Sequence, residues 1–277
     1  IQEIHSRVPE IELEAFVHGS ICIAYSGRCL MSQYMSYRDA NQGVCDNSCR
    51  YPVQVYESRP EVQASEYFIQ DARDPESLYK ITEDENGTYM MNAKDLCLIE
   101  HLQELKEAGV CSFKVEGRTK SSFYVAMVAR TYRKAIEDVT QGRPFDPQLL
   151  ADLELMASRG YHKGFFNGAP GPEGQEYQKH DRTQQSAVLG RVIETHPETH
   201  QVQMDIRGRF SVGETVDLIW PQGRAQTKVV ALKDHNGKFR DTLHPGMGTC
   251  WAEFTDAIPP EAFVCRIIPP TNVNPTP

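Results

Sequence analysis

The chain has 277 residues with 40% hydrophobic and 24% charged content, a composition of folded soluble proteins that excludes a low-complexity or disordered chain. Its 29 Lys and Arg stand against 38 Asp and Glu, a formal charge of −9. That balance argues against indiscriminate nucleic-acid binding but allows a local basic face to dock a structured RNA. No signal peptide or bilayer-length apolar run is read, so the expectation is a cytoplasmic protein of one large or two ordinary domains with no membrane partner.

Ile1–Val8 reads as the end of a helix that Pro9 breaks. Ile11–Val17 alternates and then turns apolar, as a largely buried strand does, with Glu12 and Glu14 pointing together into an interior or onto a rim. His18 falls where the strand ends. In a parallel α/β sheet that end faces the active site; the alternative is a structural histidine bonded to a loop carbonyl.

Four of the eight cysteines follow as Cys22-x6-Cys29-x15-Cys45-x3-Cys49. Thiols gathered this densely pair as disulfides, ligate zinc or hold an iron–sulfur cluster. A cytosolic setting disfavours disulfides. Structural zinc favours two tight knuckles, and here Cys45-x3-Cys49 alone has that shape, whereas a cluster tolerates uneven spacing. Glycine and small polar residues in Tyr25–Ser32 and Asn41–Arg50 put backbone amides beside the sulfurs, where donors tune a cluster's potential. Plain turn chemistry also explains them. The pattern favours a cluster and leaves zinc, ordinary thiols and disulfides open.

Tyr51–Glu85 is rich in Pro, Ser, Glu and Asp and reads as an irregular excursion with room for one hairpin; Tyr56, Tyr67, Phe68 and Tyr79 argue against disorder. Gly87–Met91 is a short strand, and Asn92 caps a helix on which Leu96, Ile99, Leu102 and Leu105 recur before Gly109 ends it. Val110–Glu116 is the next strand. Ser121–Asp138 is a second helix, with Val125, Val128, Ala129, Tyr132 and Ile136 on one face. This β-α-β-α order predicts a parallel sheet with right-handed crossovers. About three such units can be counted, too few to close an eight-stranded barrel.

Alternation places Lys114, Glu116 and Arg118 on one face around Gly117. An acid flanked by two cations at a strand's C-terminal end can bind an anion or act as acid and base; the alternative is a buried structural ion-pair network. Arg130, Arg133 and Lys134 read as a solvated helix face. Cys97, on the helix's apolar side, and Cys111, in the strand, read as buried hydrophobes.

Gly142–Pro147 marks a boundary, a short helix covers Pro147–Ser158, and a Pro/Gly-rich linker runs to Gly174. From Ala187 the pattern becomes short strands at Val188–Glu194, Gln201–Ile206, Glu214–Trp220, Gln226–Leu232 and Gly248–Thr255, with Asn236-Gly237 as a hairpin signal. A small β-barrel is expected. Arg207, Arg209, Arg224 and Lys228 form an RNA-facing basic patch or are scattered surface cations. Cys250 and Cys265 read as free core thiols, and Pro269–Pro277 as flexible.

Glu14–Cys22 followed by Tyr25–Ser32, with Asn41–Arg50, Gly87–Leu96 and Lys114–Ser122, resembles the signature of the collagenase-like peptidase family of unknown type, family 32. The match is strong over residues 1–165 and loose beyond, and Tyr161–Gly168 resembles the family's connector. The resemblance implies a [4Fe–4S] cluster on Cys22, Cys29, Cys45 and Cys49. It also implies membership of a tRNA-modifying branch that hydroxylates C5 of a wobble uridine, with tRNA as substrate and prephenate as co-substrate. Prephenate is a small dicarboxylate, and Arg118 can clamp one carboxylate bidentately. His18, Lys114, Glu116 and Arg118 are then the candidate catalytic set.

The fold implied is α/β: a partial TIM-like parallel β/α barrel, its N-terminal half missing ahead of Ile1, followed by a small C-terminal β-barrel. Residues 1–141 would carry the half-barrel and the cysteine loop, 142–185 a helical connector and linker, 186–270 the β-barrel and 271–277 a flexible tail. Two other functions compete with tRNA hydroxylation. One is a hydrolase, as the family's peptidase name suggests, although no Gly-x-Ser-x-Gly or His-Glu-x-x-His motif occurs and thiols committed to a metal cannot act as nucleophiles. The other is a non-catalytic iron–sulfur or zinc scaffold.

Overall fold

The computed structural model describes residues 1–21, 32, 37–38, 42, 44–45, 93–117, 120–156, 160–168, 172–174 and 186–267, and the backbone of 67–71, 74–84 and 87–89. The chain divides into two compact units, residues 1–119 with 158–182 and residues 120–157 with 183–277.

In the first unit, α1 (Gln2–Arg7) lies on the surface, with Arg7 paired to Glu3 at 2.7 Å one turn away. β1 (Leu13–Gly19) starts half-exposed and ends in the buried run Val17-His18-Gly19. The stretch read as irregular with room for one hairpin holds that hairpin, β2 (Tyr67–Asp71) with β3 (Asp74–Asp84), and the strand expected after it, β4 (Gly87–Tyr89), pairs with β3 to make a three-stranded antiparallel sheet. Asn92, the expected cap, lies outside the described residues.

The helix expected after it begins late. Asp95–Cys97 is a strand, β5, followed by a 3₁₀ turn at Ile99–His101 and α2 (Leu102–Glu107). Tertiary pairing overrides the helical periodicity here: the Asp95 amide donates to Gly160 O at 3.0 Å and the Leu98 amide to Val17 O at 2.8 Å. Leu102 and Leu105 are buried as the spacing required. Gly109 stops the helix at φ +102°, a conformation glycine adopts without strain, packed directly against the His5 ring.

β6 (Val110–Val115) and β7 (Tyr161–His162) complete a four-stranded sheet of order β6-β1-β5-β7. β6 runs parallel to β1 and β7 parallel to β5, but β1 and β5 are antiparallel, with His18 opposite Cys97 and Gly19 opposite Leu96. The sheet is therefore mixed rather than wholly parallel. The stretch between β1 and β5 carries antiparallel strands, and antiparallel neighbours need no helical crossover to return the chain to the same end.

The second unit opens with α3 (Ser122–Thr140), whose N-cap Ser121 accepts from the Tyr124 amide at 3.2 Å. Its buried stripe is Tyr124, Met127, Val128, Thr131, Tyr132, Ala135 and Asp138. Val125 and Ala129, expected on that stripe, are exposed; the bulk of Phe123, Tyr124 and Met127 turns the helix away from them. α4 (Pro147–Glu154) is capped by Asp146 with Pro147 in its first turn. Arg130 is not a solvated cation: its Nη1 lies 2.9 Å from Asp152, a residue only 8% exposed, and ties α3 to α4. Arg133 and Lys134 instead pair along the helix with Glu137 and Asp138.

The barrel is closed and antiparallel. Its strands are β8 (Ser186–His196), β9 (Gln201–Ile206), β11 (Thr215–Trp220), β12 (Gly223–Lys233), β14 (Thr249–Phe254) and β15 (Phe263–Ile267), with β10 (Phe210–Ser211) and β13 (Thr242–Leu243) paired separately. β9 and β14 show strict alternation: Val202, Met204 and Ile206 face Cys250, Ala252 and Phe254 in the core. β15 is the sixth strand, beyond the five read from the sequence; at five residues after Pro259-Pro260 it is short for a periodicity signal. The helix pair packs on the barrel through the edge-on Phe123 and Phe263 rings, 5.4 Å apart, and through Ser186 Oγ donating to Leu155 O at 2.7 Å.

Cys250 and Cys265 are free core thiols, and burial pushes Cys265 up to about 12. Asp234, 2% exposed, organises the turn after β12. It accepts from Arg240 Nε and Nη2 at 2.9 and 2.7 Å and from the Asn236 and Lys238 amides at 3.0 and 3.1 Å. Arg240, and then those amides, hold its carboxyl below the ordinary value of 3.8. A depressed carboxylate stabilises the fold above its unfolded pKa, and the contribution is lost as pH falls through the folded one. Asp234→Asn is expected to lower the thermal midpoint at neutral pH by roughly a few degrees. The gap from wild type should close as the pH is taken below 3.8. Equal midpoints at neutral pH would remove Asp234 as the anchor of the turn.

Candidate functional site

The C-terminal ends of the parallel neighbours β1 and β6 meet where the Glu116 amide donates to His18 O at 2.9 Å. Gly19 is the point of closest approach. At its φ of +138°, a Cβ would stand 2.8 Å from Glu116 Cβ and 3.3 Å from its Oε2, so both the backbone angle and the neighbour demand glycine. His18 is fully buried, with its ring 5.4 Å from that of Tyr161 and tilted by 49°. Pairing of β5 with β7 sets Asp95 opposite Tyr161, and Asp95 is also fully buried. Below Tyr161, His162 Nδ1 accepts the Gly164 amide at 3.0 Å and fixes the turn.

A second group lies along the exposed face of the same strand pair. Glu14 Oε2 accepts from Ser112 Oγ at 2.8 Å, and Lys114 Nζ lies 3.3 Å from Glu14 Oε1 and 4.8 Å from the centre of the Phe16 ring. The Ser112 hydroxyl, then Lys114, holds the Glu14 carboxyl below the usual carboxylate range. Lys114 is thus engaged by Glu14 at the surface, while Glu116 sits exposed at the rim beside Gly19. Arg118 lies outside the described residues.

Of the cysteine quartet, Cys45 is described: half-buried, with its sulfur 3.3 Å from the hydroxyl of Ser32, itself 1% exposed. Cys22, Cys29 and Cys49 lie outside the described residues, and among the described residues no three His, Cys, Asp or Glu side chains are placed to hold a metal ion. Cys97 is buried as expected, though in a strand. Cys111 is exposed and donates to Leu13 O at 3.4 Å, because it falls on the solvent side of β6. Sequence reasoning passed over Asp95 and Tyr161. Asp95 falls inside the stretch whose spacing predicts a helix after Asn92, and a two-residue strand such as β7 leaves no periodic trace.

A mixed α/β unit with candidate site residues at its strand ends, joined in one chain to a closed β-barrel unit, defines a two-unit α/β protein with a cysteine-rich stretch after its first strand. Residues 1–176 match Peptidase family U32, and the chain belongs to that family. It is 36% identical to tRNA hydroxylation protein P of Escherichia coli K12, over 91% of this chain and 61% of that protein. It is 35% identical to the protein of the same name from Haemophilus influenzae, over 87% and 59%. A collagenase of Porphyromonas gingivalis is 27% identical over 76% of this chain and 54% of its own length. The chain spans about three fifths of the tRNA hydroxylation relatives it matches.

Gly19→Ala is expected to destabilise its unit by about 1–3 kcal/mol through strain at a positive φ and collision with Glu116. Denaturant unfolding followed by circular dichroism reads this out. An unchanged midpoint would show that the rim accommodates a side chain.

Proposed function

We propose that this protein acts in tRNA modification, as an iron–sulfur enzyme that hydroxylates C5 of wobble uridine with prephenate as co-substrate. The observation that carries this reading is its similarity, over about nine-tenths of the chain, to proteins named for tRNA hydroxylation. In this reading the parallel pair β1 and β6 belongs to a TIM-like β/α barrel. A tRNA substrate places its action in the cytoplasm; among the described residues no helix is long and apolar enough to cross a membrane.

Cys45 suits a cluster ligand: its thiol is half-buried, and the Ser32 hydroxyl stands where it can donate to a thiolate. Cys22, Cys29 and Cys49 would complete the set. When bound, the cluster supplies electron transfer or an iron with an open coordination position. The protein's own residues bind and orient the anion. Arg118 grips one carboxylate as a fork, and Lys114 adds positive charge that Glu14 partly offsets. Glu116, exposed at the rim and tied through its amide to His18, can give or take a proton. His18, enclosed beside Tyr161, holds the strand end that carries this group.

A hydrolase reading draws support from the family's name and the collagenase relatives. Complementation of a strain lacking uridine hydroxylation separates the two. Wild-type protein is expected to restore hydroxylated uridine in tRNA nucleoside digests, and Arg118→Glu to abolish it while keeping the visible absorbance of the cluster. Hydroxylation undiminished in Arg118→Glu removes Arg118 from the site. Gelatin cleavage with unmodified tRNA favours the peptidase.

A further inference from the structure

Of the four barrel cations read as a basic patch, two are neutralised: Arg207 pairs with Asp205 at 2.7 Å and Arg224 with Asp217 at 3.4 Å. The outer face of β12 offers a different arrangement. Lys228 and Val230 are exposed, a bulge follows between Val229 and Ala231, and Lys233 comes next on the outside, while Val229 and Leu232 face the core. Beside this row lies a groove of about 500 Å³, lined by Val212, Val230, Phe239, Arg240, Asp241 and Thr242.

Phe239 is 69% exposed, which is unusual for a large aromatic held on a fixed turn. The turn is fixed by the Asp234 network and by the Arg240 amide donating to Leu232 O at 2.9 Å, while the Val212 amide donates to Asp241 O at 2.9 Å. The Lys233 ammonium lies 4.9 Å from the centre of the Phe239 ring. Val230, the presented Phe239 ring and the cations Lys228 and Lys233 of the neighbouring strand form a platform for a stacked base with phosphates alongside. From Lys228 to Lys233 along the strand is about 16 Å, a span of more than one nucleotide. The barrel stretch 186–267 carries nine Lys and Arg against ten Asp and Glu, so most of the chain's acidic excess lies elsewhere and does not repel a polyanion here.

We infer that this groove binds unpaired RNA nucleotides, with a base stacked on Phe239 and the flanking phosphates held by Lys228 and Lys233. The inference rests on the tRNA reading and assigns the part of the protein that grips a single-stranded loop. Asp241 offers an acceptor to an N–H on the base edge, which favours uracil or guanine over bases with no such ring donor.

The test uses the whole chain, a uridine-rich single-stranded oligonucleotide and unmodified tRNA, with fluorescence anisotropy as readout. Phe239→Ala is expected to weaken both complexes by about fivefold or more, and Phe239→Tyr, which keeps the ring, to bind as wild type. Lys228→Ala with Lys233→Ala should lower the slope of log K against log salt by about 1.4, the value for two lost phosphate contacts on a single strand. Phe239→Ala binding RNA as tightly as wild type overturns the inference. So does a groove that takes an apolar dye in a Phe239-dependent manner while no RNA binds. Failure of the tRNA reading looks different: Phe239-dependent oligonucleotide binding would persist while tRNA stays unhydroxylated in the complemented strain.

Discussion

The close passage of Glu116 across Gly19 is the constraint from which the first unit's geometry follows. β1 is hydrogen-bonded on both sides, to β6 in parallel and to β5 antiparallel, and its last residues lie in the interior. A chain leaving such a strand must turn without a side chain in the way. Gly19 supplies both the positive φ and the space, so the cysteine-rich stretch departs from the same point at which Glu116 reaches the rim. Burial of His18 and exposure of Glu116 are two consequences of that one crossing.

The barrel unit obeys a different logic, in which buried carboxylates act as ties. Asp217 accepts from Arg224, from Gln226 at 3.2 Å and from the Ile267 amide at 3.2 Å, joining β11, β12 and β15 at the closure of the barrel. Asp234 does the same for the turn that presents Phe239. A buried charge is tolerated in each case because its lone pairs meet several donors. These ties leave the outer face of β12 free to carry residues that the core does not need.

Where periodicity was long, the sequence was legible. Ser121 and the apolar repeat after it marked α3, and the alternation of Gln201–Ile206 marked β9 to the residue. Legibility failed where tertiary pairing decided the outcome. Leu96, Ile99, Leu102 and Leu105 share a helical spacing, yet Leu96 belongs to a three-residue strand held by β1 and β7. Arg130 looked like surface charge, and its partner Asp152 sits 22 residues away on another helix. Cys111 looked like a core residue, but one step in strand register puts it in solvent. At the candidate site, His18 and Glu116 could be named because a strand's end is visible in sequence. Asp95 and Tyr161 could not, since their approach depends on a pairing between segments more than 60 residues apart.

The functional account turns on whether four thiols share one inorganic centre. Anaerobic iron and acid-labile sulfide analysis of the whole protein, with Cys22, Cys29, Cys45 and Cys49 replaced by serine one at a time, tests this most directly. The account expects roughly four irons and four sulfides per chain in the wild type and a loss of both in each variant. A chain that holds zinc, or whose cysteines are recovered as two disulfides, would contradict it.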